Sequence, residues 1–318
     1  MRLLSPVTFL NTKGFRICTS SNAQSKPDLM SFICRQIRSS GPISVSDYMK
    51  LALHHPIYAI SKFPKVASEF QKLHLVERSD RLRAVQQSTL GPLLDALKLS
   101  PAIHWHSSLD EIPRGQCSYY LAHEFFDALP IHRFQLAGDL ENRNCVEVCP
   151  EAGAILQKIA QRVADDGGAA LVVDYGHVGE SGDTLRAFKN HELHDPLKDP
   201  GQADITADVD FAFLRRSVEA TNTPVVVHGP VTQAYFLVHM GFMARLKVLV
   251  HKCHLEEDKK NLIASSEMLL GSDKMGKRFK FMAILPRSDS ADQSYVPAGF
   301  FPTWPSASTI QPSSASKT

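Results

Sequence analysis

The stretch GAILQKIAQRVADDGGAALVVDYG, residues 153–176, constrains the fold more than any other part of the chain. Its first half repeats apolar residues at helical spacing and closes on the pair Gly167 and Gly168. Its second half is a continuous apolar run that ends on Asp174. A strand apolar on both faces must be covered on both sides, which is the condition of a parallel sheet packed with helices. The alternation recurs along the chain. Residues 73–76 read as a strand before a helix from about 80 to 90, and AIHW at 102–105 and CSYYL at 117–121 read as further strands. Helices near 211–219, 233–240 and 256–270 surround the β-branched run PVVVH, and RFKFMAIL at 278–285 alternates and reads as a closing strand. Helix and apolar run in repetition predict an α/β fold.

With 318 residues and 43% hydrophobic content, the chain can bury a large core. Its formal charge is +2, with acids and bases dispersed, so no basic face marks it for nucleic acid. The six cysteines, at 18, 34, 117, 145, 149 and 253, match neither a disulfide framework nor a zinc pattern. Cys145 and Cys149 flank VEV in an expected strand, where a spacing of four puts both on one face. The first 27 residues carry Arg2, Lys13, Arg16 and Lys26, many Ser and Thr, and no acid before Asp28. That composition predicts a mitochondrial presequence at 1–27, whose cationic character follows the membrane potential. The apolar runs within it are too short for a secretory core, and no later run is long enough to cross a membrane as a helix.

After the presequence, residues 28–60 read as a helical segment with helices at 29–39 and from Ser44 or Ser46 to Leu53. Residues 61–285 read as the α/β domain, interrupted by a polar loop at 179–210 with few helix or strand signals. Residues 286–318, rich in Ser and Pro, read as a disordered tail.

Open α/β sheets bind ligands at the carboxyl ends of their strands. The segment YYLAHEFFDALPIHRF, 119–134, delivers His123, Glu124 and Asp127 to such an edge. A carboxylate there can hold a guanidinium, whose paired donors match two carboxylate oxygens. The same acids would also serve a helix N-terminus, and pattern alone leaves both readings open. Glu77, ending the 73–76 strand, stands where an acid grips a ribose. A second cluster, His191, His194, Asp195, Asp204, Asp208 and Asp210, could be drawn as a metal site for a hydrolase. The two histidines lack zincin spacing, however, and Asp caps in a solvated loop explain the acids as well. No metal is expected.

LAHEFFDALPIHRFQ, VEVCPEAG, GGAALVVDYGH, DTLRAFKNHELHDPLKDPGQADITADVDFAFLRR and MGKRFKFMAIL occur in that order between about 29 and 285. Together they resemble the MidA-type mitochondrial protein arginine methyltransferases, the complex I assembly factors. The resemblance implies a class I, Rossmann-like methyltransferase that uses S-adenosylmethionine in the mitochondrial matrix. Its implied substrate is an arginine on a core subunit of respiratory complex I, and a homodimer is compatible with it. On the matching positions, Glu77 would hold the ribose, with Asp174 also at the cofactor edge. Glu124 and Asp127, with His123 beside them, would face the substrate arginine as the catalytic set.

The chain departs from the family at the junction near Ala59, where roughly sixty residues holding the first strand and its glycine turn have no counterpart. A shorter stretch is missing between Gln135 and Asn144. Glycine turns let backbone N–H groups approach a cofactor at distances where no Cβ fits. Without one, S-adenosylmethionine binding is expected to be weak, and β-strands flanking the lost strand are expected to expose unpaired edges. A non-catalytic assembly protein that keeps the substrate-facing surface is the alternative expectation.

Overall fold

The protein is described by a computed structural model over residues 7–10, 72–97, 101–135, 145–179, 182–189, 192–287 and 295–301. The first half contains β1 (Val7–Leu10), β2 (Lys72–Val76), α1 (Asp80–Leu97), β3 (Ala102–His106), β4 (Ser118–His123), β5 (His132–Gln135) and β6 (Cys145–Val148). There follow α2 (Pro150–Asp166), β7 (Gly168–His177), β8 (Arg186–Lys189), β9 (Glu192–His194), β10 (Asp204–Thr206), β11 (Val209–Asp210) and α3 (Phe211–Glu219). The chain continues through β12 (Val225–Thr232), α4 (Gln233–His239), α5 (Phe242–Lys252), α6 (Glu256–Leu270), α7 (Met275–Arg278) and β13 (Phe279–Pro286).

The main sheet runs β12-β13-β7-β4-β1-β2-β3, with β11 added beside β7. Strands β3, β2, β1, β4 and β7 are parallel, while β13 is antiparallel to both β7 and β12. This is the expected α/β architecture. Leu156, Ile159, Ala160 and Val163 lie on one stripe of α2 and are buried against Val172, Met282 and Ile284 of the sheet and Phe211 and Leu214 of α3. Each such side chain contributes about 1.5–3 kcal/mol on burial. On the other face, Phe279, Phe281 and Leu269 form a second core with Phe236 packed against it. Gly168 has a φ of 102°, and a Cβ there would lie 1.9 Å from the Ser118 carbonyl oxygen, so the α2–β7 turn requires its glycine.

The expected loss of the first strand is corrected. Val7–Leu10 fills that place, pairing parallel with β2 (Phe9 opposite Leu75) and with β4 (Phe9 opposite Leu121). β2 and β4 therefore face a strand rather than each other's unpaired edges. VTFL carries the β-branched and aromatic residues strands favour. Four residues in a stretch otherwise polar and cationic gave no periodicity, and the edges of two distant strands select them. The helices expected within 28–60 lie outside the described residues.

Three further expectations change. The 179–210 loop carries a three-stranded antiparallel sheet, β10-β8-β9, whose strands are too short and polar to show in the pattern. Cys145 and Cys149 do not share a strand face, because β6 ends at Val148 and Cys149 precedes the first turn of α2, where Pro150 starts the helix. The tail is not unstructured throughout. Phe300 is buried against Phe236, with ring centroids 5.4 Å apart, and the Tyr235 hydroxyl donates to the Phe301 carbonyl at 2.6 Å. Helix α5 was not anticipated, and none of its residues is buried.

Candidate functional site

The carboxyl ends of β2, β4 and β7 bring together most of the residues singled out from the sequence. Glu77 follows β2 directly, is buried, and donates its backbone N–H to the His106 carbonyl of β3 at 2.9 Å. Its Oε1 accepts the Ser79 N–H at 2.9 Å, and Ser79 Oγ accepts the Leu82 N–H, capping α1. Its Oε2 accepts a longer bond, 3.4 Å, from Gln86. An ionised carboxylate has about four acceptor positions, so both oxygens retain capacity for a diol. Glu77 thus fits a ribose. The methionine end of such a cofactor has less to hold it. Between Leu10 and Lys72 the chain has Gly14 and Gly41 and no closely spaced glycine pair.

β4 ends at His123, opposite Val173 of β7. Its ring stacks on Phe279, centroids 6.3 Å apart, and is nearly buried. Glu124 then turns the chain in a left-handed conformation, φ 46°, with its N–H donated to the Val173 carbonyl at 3.0 Å. A non-glycine residue in this region is uncommon and is held there by its surroundings. Of the three expected catalytic residues, Glu124 is the one that is not buried.

Asp127 is 2% exposed and is turned toward β10: its Oδ2 accepts the Thr206 hydroxyl at 2.6 Å, and its carbonyl accepts the Ala207 N–H at 3.0 Å. It joins the loop after β4 to the small sheet instead of opening to a ligand. Asp174 also departs from its expected role. Fully buried, its Oδ2 accepts the N–H groups of Phe125, Phe126 and Asp127 at 3.1, 3.0 and 3.3 Å, and Oδ1 accepts that of Tyr175 at 2.9 Å. A carboxylate so enclosed by backbone donors shapes the loop and has no face for a cofactor. Both assignments are corrected for the same reason: spacing locates an acid at a strand end without showing which way its oxygens point.

The small sheet is anchored by charge. Glu147 of β6 accepts the Thr184 N–H and hydroxyl, the latter at 2.6 Å, and the Leu185 N–H at 3.1 Å. Arg186 pairs with Asp208 at 2.6 Å. Other members of the second cluster have partners of their own. Asp210 caps α3 through the Phe213 N–H at 3.0 Å, Asp195 accepts the Leu197 N–H at 3.0 Å, and His194 faces Asp199 at 3.3 Å. His191 lies outside the described residues, and among those described no group of three His, Cys, Asp or Glu side chains is placed to hold a metal. No described helix is long and apolar enough to cross a membrane.

Tyr175 was missed as a site residue. Its ring packs on Phe279, centroids 3.8 Å apart, with the Arg186 and Arg278 guanidinium carbons 5.8 and 5.6 Å from its centroid. Burial pushes its hydroxyl well above the usual phenol range, and the nearby Glu124 carboxylate adds to the effect. The signal was present in the DYG motif, where the adjoining acid drew the reading.

The S-adenosyl-L-methionine-dependent methyltransferase family model matches residues 52–141 and 135–231. The mitochondrial protein arginine methyltransferase NDUFAF7 of Xenopus laevis is 33% identical over 384 residues, covering 85% of this chain and 86% of the relative. Its alignment is longer than the part of this chain it covers, so the relative has stretches without counterpart here. The Mus musculus protein of the same name is 40% identical over 262 residues, and the Danio rerio protein 44% over 265. Each match covers 67% of this chain but only 59% and 61% of those two proteins. A solved COG1565 superfamily member from Burkholderia thailandensis bound to S-adenosyl-homocysteine superposes with a TM-score of 0.60 at 18% identity, covering 92% of this chain and 74% of that one. A second solved protein of that superfamily and species gives 0.59 at 19% identity, covering 85% and 94%. These two share the fold of this chain.

Proposed function

Because this chain belongs to the S-adenosyl-L-methionine-dependent methyltransferase family, we propose that it methylates an arginine side chain of a protein inside mitochondria. The observation that carries the reading is Glu124, an acid held in a left-handed turn at the end of β4 with its N–H donated to the Val173 carbonyl of β7. Its carboxylate presents two acceptors to the paired donors of a guanidinium, orienting one nitrogen for attack and stabilising the positive charge of the group. Glu77, across β1 in the sheet order, would hold the ribose of the methyl donor. When bound, S-adenosylmethionine supplies a methyl group already activated by its sulfonium, so the protein's task is alignment. Asp174 and Asp127 fix the loop that carries Glu124, and the preceding His123 stacks on Phe279.

The substrate we propose is a core subunit of respiratory complex I, methylated in the matrix during assembly. This rests on the motif resemblance and on the relatives named as mitochondrial protein arginine methyltransferases. The test is methyl transfer from labelled S-adenosylmethionine to isolated complex I subunits, with methylarginine identified by mass spectrometry. Glu124→Gln should abolish the product while leaving the thermal midpoint within a few degrees. Product formed equally by Glu124→Gln, or none from the wild-type chain, refutes the reading.

The missing close glycine pair favours a second reading, an assembly protein that binds the same subunit without transferring methyl groups. On that reading the subunit co-purifies with wild type and Glu77→Ala alike, and calorimetry finds no S-adenosylmethionine binding.

A further inference from the structure

Three motifs have no part in the methyl-transfer reading so far: the tyrosine of DYGH, the arginine of DTLRAF and the arginine of MGKRF. They meet at one ring. Tyr175 lies opposite Phe279 across β7 and β13, and the Arg186 and Arg278 guanidinium groups stand over its ring. A guanidinium over an aromatic face is attracted by the ring quadrupole.

The two arginines are held differently. Arg186 has its own partners, the Asp208 carboxylate at 2.6 Å and the Thr184 carbonyl at 3.0 Å. Arg278 ends α7 with an exposed side chain, and among the described residues no carboxylate lies within ion-pair distance of it. Its guanidinium carbon stands 5.6 Å from the ring centroid.

Tyr175 is next in the chain to Asp174, whose carboxylate shapes the Glu124 loop, and Glu124 donates its N–H to the Val173 carbonyl, two positions before Tyr175 on β7. An aromatic face and a carboxylate on adjoining strand ends contain both elements that recognise a guanidinium: a π surface for its plane and acceptors for its N–H edge. We propose that Tyr175 is the specificity-determining platform for the substrate guanidinium, and that Arg278 is a resident occupant which the substrate side chain displaces. The inference deepens the arginine reading above and rests on it. A lysine ammonium has no plane to lay on the ring, so the platform favours arginine over lysine.

The experiment uses the full chain and a short peptide with one arginine between neutral residues, beside its citrulline counterpart. The Nε–H resonance of Arg278, assigned through Arg278→Gln, should carry an upfield ring-current shift that Tyr175→Leu removes and Tyr175→Phe retains. Arginine peptide, but not citrulline peptide, should relieve that shift on titration. Arg278→Gln should bind the arginine peptide several-fold tighter, and Tyr175→Leu about tenfold weaker. If Glu124→Gln weakens binding but the Arg278 signal stays unmoved, or Arg278→Gln binds no tighter, the platform inference is overturned and the arginine reading stands. If the wild-type chain binds no arginine peptide, both fall.

Discussion

Asp174 accepts the backbone N–H of Phe126 at 3.0 Å across two strands of the main sheet, and with it those of the residues on either side. The loop after β4 therefore owes its shape to a carboxylate on β7, 48 positions away. Asp174→Asn keeps the size but replaces an acceptor oxygen by a donor amide in a fully buried site. Bonds to charged groups contribute about 1.5–3 kcal/mol each and are not additive, so the expected loss is about 2–4 kcal/mol. Urea denaturation measures it. Amide exchange at Phe125, Phe126 and Asp127 should quicken beyond what global destabilisation explains, and unchanged exchange there would remove Asp174 as the organiser of the loop.

Thr206 closes the same arrangement from the other side through its 2.6 Å bond to Asp127. Thr206→Val preserves shape and deletes the donor to a buried carboxylate, at an expected cost of about 1–3 kcal/mol. The loss should be local, since β10 belongs to the small sheet. Proteolysis within 192–206 should accelerate severalfold while the main-sheet amides keep their protection. Cleavage at the wild-type rate would mean that the Asp127–Thr206 bond does not hold the two sheets together.

What the sequence displayed, and what it hid, follows from how far each signal reaches. α2 and β7 were legible because their periodicity is local and ends on glycines the backbone requires. Glu77 and Glu124 were legible as acids at strand ends. The roles of Asp174 and Asp127 were hidden, because their partners lie in distant stretches and only side-chain direction distinguishes a ligand acid from one satisfied by backbone. The small sheet was hidden because strands of three or four residues leave no period to read. β1 was hidden most completely: its pairing depends on two strands far along the chain, while its own composition points to another use.

That strand gives the third prediction. Phe9 sits in the middle of β1, opposite Leu75 on one side and Leu121 on the other. Phe9→Pro removes an N–H from a central ladder, where proline is excluded, whereas Phe9→Val keeps the N–H and a strand-favouring side chain. The proline variant should unfold several degrees lower and lose exchange protection in both β2 and β4, with the valine variant close to wild type. Deleting residues 1–27 should reproduce the proline result. If the deletion leaves β2 and β4 as protected as before, the main sheet does not depend on β1.

His74 sets the acid limit. Its Nδ1 lies 2.9 Å from His106 Nε2, and its ring stacks on those of His104 and His106 at 5.1 Å. Burial, then the neighbouring His106 and His104, lower its pKa to about 4. Lys72 acts in the same direction, and the pKa of His106 is lowered mainly by burial, opposed by Glu111. In the unfolded chain His74 titrates near 6.5. Between these values the unfolded state binds more protons, so stability is lost as pH falls from 6.5 toward 4, by up to about 3 kcal/mol from this residue. His74→Phe retains an aromatic ring on β2 and removes the proton site, so the fall in thermal midpoint between neutral pH and about pH 5 should shrink markedly. An equally steep fall in the variant would assign the acid sensitivity to carboxylates elsewhere, since those too are protonated as pH drops and would be untouched by the substitution.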